Sequence, residues 1–157
     1  MTCIVVVSMA GVVFSQAAAA LNAPAATPFR SNQIRLSSDS TGHAMFEDVS
    51  MAPGQTVTSS MDVAFEGDDA PAEIRLYGST SGGRFARALE LEVVRGQRVL
   101  YLGSLADFPD RYETGVIDPG WHASTSASYR FRISVTRGAR TPKGTATQSF
   151  TWEARTA

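Results

Sequence analysis

The stretch Thr56–Phe65 alternates without a break. Val57, Ser59, Met61, Val63 and Phe65 fall on one side, and Thr56, Thr58, Ser60, Asp62 and Ala64 on the other. A strand sends successive side chains to opposite faces, whereas a helix would mix these two sets around its axis. The pattern therefore demands a strand with one wet face and one face on a core, which is the habit of antiparallel sheet. A turn precedes it at Ala52-Pro53-Gly54-Gln55: Pro presets φ at the second position and Gly supplies the φ > 0 that a type II turn requires. Residues 67–71 (GDDAP) end the run. Ala72, Ile74 and Leu76 then resume the apolar side, with Glu73 and Arg75 outward.

The same alphabet recurs along the chain. Phe29–Leu36 reads as a first strand, Ala44–Phe46 as a short apolar piece, and Ser37–Gly42 as a turn cluster. Ser79–Gly83 is a loop and Phe85–Leu89 one helical turn. Leu89, Leu91 and Val93 alternate with Glu90 and Glu92, and Gly96-Gln97 turns the chain into Val99–Leu102, read as buried on both sides. A polar loop runs from Asp107 through Gly120. Tyr129, Phe131, Ile133 and Val135 make another one-faced strand, and the last carries Gln148, Phe150, Trp152 and Ala154 on one face. About eight short strands with almost no helix predict an all-β fold, an antiparallel β-sandwich or jelly roll, rather than a parallel α/β sheet. The expected core is Phe46, Val57, Met61, Val63, Ile74, Leu76, Leu91, Val93, Leu102, Phe131, Ile133, Val135, Phe150 and Trp152.

With 157 residues the chain holds one domain's worth of core. A net charge of −1, with 18% charged residues and no run of one sign, gives no electrostatic case for nucleic acid or an anionic membrane. The single cysteine, Cys3, lies in an N-terminal apolar segment, so the folded part has no internal disulfide. No charge precedes Arg30. Cys3–Phe14 (CIVVVSMAGVVF), then Ser15-Gln16 and four alanines, follows the pattern of a secretory signal peptide, with small-x-small cleavage sites ending at Ala19, Ala20 or Ala25. The basic start of such a leader is missing, as if translation began upstream. An uncleaved anchor is the alternative, although a spanning helix needs roughly 20 apolar residues. The expected organisation is residues 1–25 as leader and linker and 29–157 as the jelly-roll domain.

Candidate chemistry is sparse. The two histidines, His43 and His122, are far apart in turn-like contexts, without the two-His helical spacing of a zinc protease. Asp39, Glu47, Glu113 or Asp118 could complete a zinc site in three dimensions. The plainer reading is two solvated loop histidines. Asp68-Asp69 and Asp107…Asp110 could bind calcium, but Asp in such turns usually bonds its own backbone. Gly82-Gly83 lacks the strand and helix context of a phosphate loop, and no G-x-S-x-G elbow is present. Trp121-His122 could be a ligand platform, or Trp121 could lie under its own loop. No catalytic, cofactor or metal residue is assigned. The strand edges say more, because an edge offers unpaired backbone groups to another chain. The charge-poor segment Asn22–Leu36 could donate a strand to a neighbouring subunit or fold back as this domain's own first strand.

The ordered series SSDSTGHAMFEDVSMAPGQTVTSSMDVAF, AEIRLYGS, ALELEVVRG, VLYLGSLADFPDRYETGVIDPG, YRFRISV and TATQSFTWEA resembles the TasA/camelysin family of secreted bacterial proteins, most of all its actinobacterial members. The likeness covers nearly all of the chain after about Phe29. It implies a jelly roll, export through a signal peptide, and a place at the cell surface or in the extracellular biofilm matrix. Relatives build fibres in which an N-terminal segment of one subunit can complete the sheet of the next. The partners it implies are thus other copies of the chain, or other matrix subunits. Camelysin-type members have been called surface metalloproteases, an activity for which this chain shows no zinc motif. Many actinobacterial members carry cysteines in the sandwich. This chain has none there, so no disulfide role carries over. A non-catalytic carbohydrate- or partner-binding sandwich is a third reading.

Overall fold

The computed structural model describes residues 4–14, 35–38, 51–66, 72–122, 125–135 and 144–156. Ten strands lie in chain order: β1 Ile4–Phe14, β2 Arg35–Ser38, β3 Thr56–Glu66, β4 Ala72–Tyr77, β5 Thr80–Ser81, β6 Leu89–Arg95, β7 Arg98–Ser104, β8 Val116–Asp118, β9 Thr125–Val135 and β10 Ala146–Thr156. A five-residue helix, α1 (Gly83–Arg87), follows β5, and single 3-10 turns occupy Leu105–Asp107 and Tyr112–Thr114. One sheet has the order β1-β10-β4-β8, with β5 also on β10. The other has the order β2-β3-β9-β6-β7. All pairings are antiparallel.

The eight main strands pair as a nested ribbon. β1 pairs with β10, β3 with β9, β4 with β8, and β6 with β7. A long ribbon of this kind, folded over so that its rungs fall into two sheets, is a jelly roll. The hairpin β6–β7 is its inner end, turning at Gly96 with φ 57°. β1 and β10 are its outer end.

The alternation reads out as burial. On β3, Met61, Val63 and Phe65 are buried while Ser60 and Asp62 are exposed, and the turn before it closes with Gln55 N–H to Ala52 O at 3.0 Å and Gly54 at φ 80°. Ile74 and Leu76 on β4, Leu91 and Val93 on β6, Phe131, Ile133 and Val135 on β9, and Phe150 and Trp152 on β10 fill the space between the sheets. Val57 packs at its margin, and Phe46 lies outside the described residues. The centre is aromatic: Phe131 meets Phe150 with centroids 4.6 Å apart, and Tyr129 meets Trp152 edge-on at 5.2 Å. Edge-to-face contacts of this kind add to the gain from burial alone.

One core assignment is corrected. Leu102 is 59% exposed and Val99 52%. β7 carries a bulge at Leu100: Val93 pairs with Tyr101 but Val94 with Val99, so one residue on β7 has no opposite number. The extra residue puts Val99 and Leu102 on one face, opposite Val94 and Glu92 respectively, and both are exposed there. The expected helical turn is present as α1, which buries Phe85 and Ala86. The polar loop 107–120 is not featureless. It contains β8, and it buries Phe108, Tyr112 and Asp118.

Gly78 is fixed by a close approach. A Cβ there would sit 1.7 Å from the Ser149 carbonyl oxygen of β10, a backbone atom that cannot step aside. Truncating the aromatic centre and truncating the bulge face should therefore differ sharply. Phe131→Ala is expected to cost about 3–5 kcal/mol and Leu102→Ser to stay within about 0.5 kcal/mol in denaturant unfolding. Equal costs would contradict the assignment of Leu102 to solvent.

Candidate functional site: the edge of strand β10

The residues singled out for chemistry do not converge. His43, Asp39, Glu47, Asp68 and Asp69 lie outside the described residues. His122 is exposed, and its carbonyl accepts a hydrogen bond from the Thr125 hydroxyl at 2.7 Å. Glu113 is exposed and 3.6 Å from Arg155. Asp107 and Asp110 are exposed, and Asp110 faces Arg111 at 3.5 Å. Gly82-Gly83 opens only the short helix α1. Among the described residues no three His, Cys, Asp or Glu side chains come together as a metal site.

Asp118 is buried and fully engaged. Its Oδ1 accepts from the Arg95 guanidinium at 2.8 Å, and its Oδ2 accepts from the Trp121 indole N–H at 2.7 Å and from the Tyr129 hydroxyl. The Arg95 guanidinium also lies 4.4 Å from the Trp121 ring. Trp121 is thus tucked under its own loop. Both carboxylate oxygens being taken, Asp118 is not free as a ligand. The cluster ties the segment after β8 to β6 and β9. Burial, followed by the neighbouring Asp118 carboxylate, pushes the Tyr129 phenol well above its usual range.

A second cluster lies on the outer face of the β1-β10-β4-β8 sheet. Tyr112 donates to Glu73 at 3.1 Å and lies against two guanidiniums, Arg155 at 3.6 Å and Arg75 at 5.0 Å from its ring. Arg75 also donates to the Tyr112 and Glu113 carbonyls at 3.3 and 2.9 Å. Hydrogen bonds from Arg75 first, then Tyr112, lower the Glu73 pKa. Glu153 is 3% exposed and takes hydrogen bonds from Tyr77 and Arg155, each at 2.6 Å. Burial, then Glu153, raises the Tyr77 phenol. Both clusters have the character of latches, with every charged group answered by a partner. Sequence reading missed them because their bonded members are 2 to 76 residues apart and share no spacing. The one local signal is a carboxylate, Glu153, between two core residues of a strand, Trp152 and Ala154.

The latched side of the sandwich contrasts with the other end of the sheet. β10 is paired on one edge by β4 (Thr151–Thr156) and β5 (Thr147, Gln148). Its other edge is covered only by β1, which pairs at nine positions from Ile4 with Arg155 to Phe14 with Ala146, with an irregularity between Met9 and Val12. β1 reads IVVVSMAGVVF and contains neither a charge nor a proline. Native edge strands are normally short, charged or broken by proline, because an open apolar edge invites other chains. β7, the edge of the opposite sheet, carries such protection: Arg98, Gly103 and the bulge at Leu100. β1 carries only its irregularity, and it consists of the residues whose sequence reads as a leader. Comparison with protein families, with characterised proteins and with solved structures finds no match for this chain.

Two predictions test the latches. Asp118→Asn leaves the half-buried Arg95 guanidinium without its carboxylate and is expected to cost about 2–3 kcal/mol, while Arg95→Met in the same background should restore part of the loss. An additive double mutant in denaturant unfolding would contradict the pairing. The chain has four tyrosines, Tyr77, Tyr101, Tyr112 and Tyr129, and burial is the first cause raising each phenol. A phenol raised in the folded state contributes stability that is complete below the unfolded value of about 10 and is lost as pH climbs through the folded value. Tyrosinate absorbance should therefore stay low at pH 10 and rise in one step with alkaline unfolding. A phenol titrating near its ordinary value in folded protein would overturn this.

Proposed function

We propose that this chain is an exported structural protein of the cell surface or extracellular matrix, which self-associates head to tail by strand complementation at the β10 edge. The observation that carries the reading is the identity of β1. The strand that closes the jelly roll beside β10 is drawn from the segment read as a removable leader. Once residues 1–25 are removed on export, β10 becomes an open edge carrying Phe150 and Trp152, and the sandwich lacks the outer half of its outermost rung. A backbone ladder of that length can be satisfied by a strand from another copy.

The donor is the segment between the cut and β2. A cut after Ala25 leaves the nine residues 26–34 ahead of Arg35, matching in number the paired positions on β10. Arg35–Ser38 pairs with β3 of its own chain, and residues 22–34 lie outside the described residues. Donation from each subunit to the next is a heterologous contact that does not close, and it propagates as a fibre. The resemblance to the TasA/camelysin family points the same way.

Protein beginning at residue 26 is expected to form regular fibres visible by negative-stain electron microscopy. Protein beginning at Arg35 is expected to form none, and a synthetic peptide of residues 26–34 should raise its melting temperature on addition. Persistent monomers from the first, or identical fibres from the second, would contradict the proposal.

A further inference from the structure

The β10 edge is occupied here, and its occupant belongs to the same chain. We propose that Ile4–Phe14 is a built-in plug: before processing, the chain holds its own leader strand in the edge that later receives a neighbour's strand, so that the precursor does not assemble. This inference rests on the reading of residues 1–25 as a leader and concerns the regulation of the same edge.

Three observations carry it. First, the pairing is specific: nine residues of β1 have defined partners on β10, and they span all but the last residue of that strand. Second, among the described residues β1 pairs with no strand other than β10. β2 pairs with β3 in the opposite sheet, so releasing β1 breaks no pairing of β2. The twenty residues between Phe14 and Arg35 can reach at most about 70 Å when extended, ample for β1 to leave the edge. Third, the candidate cuts after Ala19, Ala20 and Ala25 all fall in this connection and outside β1. Cleavage need not unseat the strand first. It converts a tethered strand into a separate peptide.

That conversion is the switch. A strand on a short tether competes at an effective concentration on the order of millimolar, whereas a donor from another copy competes at its actual concentration. In the precursor the tethered β1 wins. After the cut it has no such advantage, and it can diffuse away while the donor segment 26–34 remains attached to each subunit. An apolar, charge-free strand suits this role. It closes the edge while attached, and its lack of edge protection does no lasting harm because it is removed.

The test uses the full chain with Cys3→Ser. Ser8 and Thr151 are register partners, so Ser8→Cys with Thr151→Cys should allow a disulfide that locks the plug. In a second full-length variant, Val7→Pro removes a ladder donor from the middle of β1. Hydrogen exchange of β10 amides and fibre formation are read on both, with β9, which does not pair with β1, as the folding control. The oxidised locked chain is expected to stay monomeric even after proteolytic nicking within residues 15–25, and to assemble at least tenfold faster once reduced. Val7→Pro is expected to raise exchange in β10 at least tenfold with β9 unchanged. A locked chain that assembles as fast as the reduced one overturns the plug while leaving strand donation standing, as does a Val7→Pro chain whose β10 stays as protected as the parent's. Increased β10 exchange without fibres from any variant supports the plug and overturns the fibre reading.

Discussion

Strand β10 must be covered on all four sides. Its inward residues Gln148, Phe150, Trp152 and Ala154 are completely buried, and on the opposite face Thr151 and Glu153 are buried as well. One edge is hydrogen-bonded to β4 and β5, the other to β1. A strand with no wet face and no free edge behaves like the interior of a larger sheet, and its backbone groups cost free energy if left unpaired. The rest of the molecule is arranged around that demand. β9 lies across the core from it and supplies Tyr129 and Phe131 to its aromatic side. The side chains of Tyr77 and Arg155 answer its buried charge, Glu153, and Arg155 in turn lies over the Tyr112 ring.

The two ends of the sheet meet the demand by different means. At the β8 end, closure is chemical: a salt bridge, an indole donor and a phenol converge on Asp118, and an Arg–Tyr–Glu cluster holds the next turn. Such networks are costly to break singly, because each break leaves a buried group without its partner. At the β1 end, closure is a backbone ladder with a strand of apolar sequence. A ladder can be supplied by any chain of suitable length, whereas the Asp118 network can be supplied only by these residues. On the proposed reading, this asymmetry leaves the β8 end fixed and the β1 end exchangeable.

Much of the fold was legible in the sequence because β3, β4, β9 and β10 each show an alternating pattern, and alternation reports a core directly. It failed where the period is interrupted or absent. At β7 the bulge at Leu100 put Val99 and Leu102 on the solvent face, although composition alone suggested burial. β8 is three residues long, too short for a period. The Asp118 cluster joins residues 3, 11 and 23 positions away, with no motif between them. Ile4–Phe14 is the instructive case. An unbroken apolar run reads equally as a leader and as a buried strand, and periodicity cannot separate the two. Its residues form a strand beside β10 and their sequence also fits the leader pattern, and the candidate site lies where the two readings overlap.

The central claim is that the processed chain completes its jelly roll with a strand from another copy. The direct measurement is the structure of the chain beginning at residue 26, by cryo-electron microscopy of its assemblies or by crystallography. The account predicts an antiparallel strand built from residues 26–34 of a neighbouring subunit beside Ala146–Arg155. A folded monomer whose β10 edge is open, or is covered by its own residues 26–34, would contradict it.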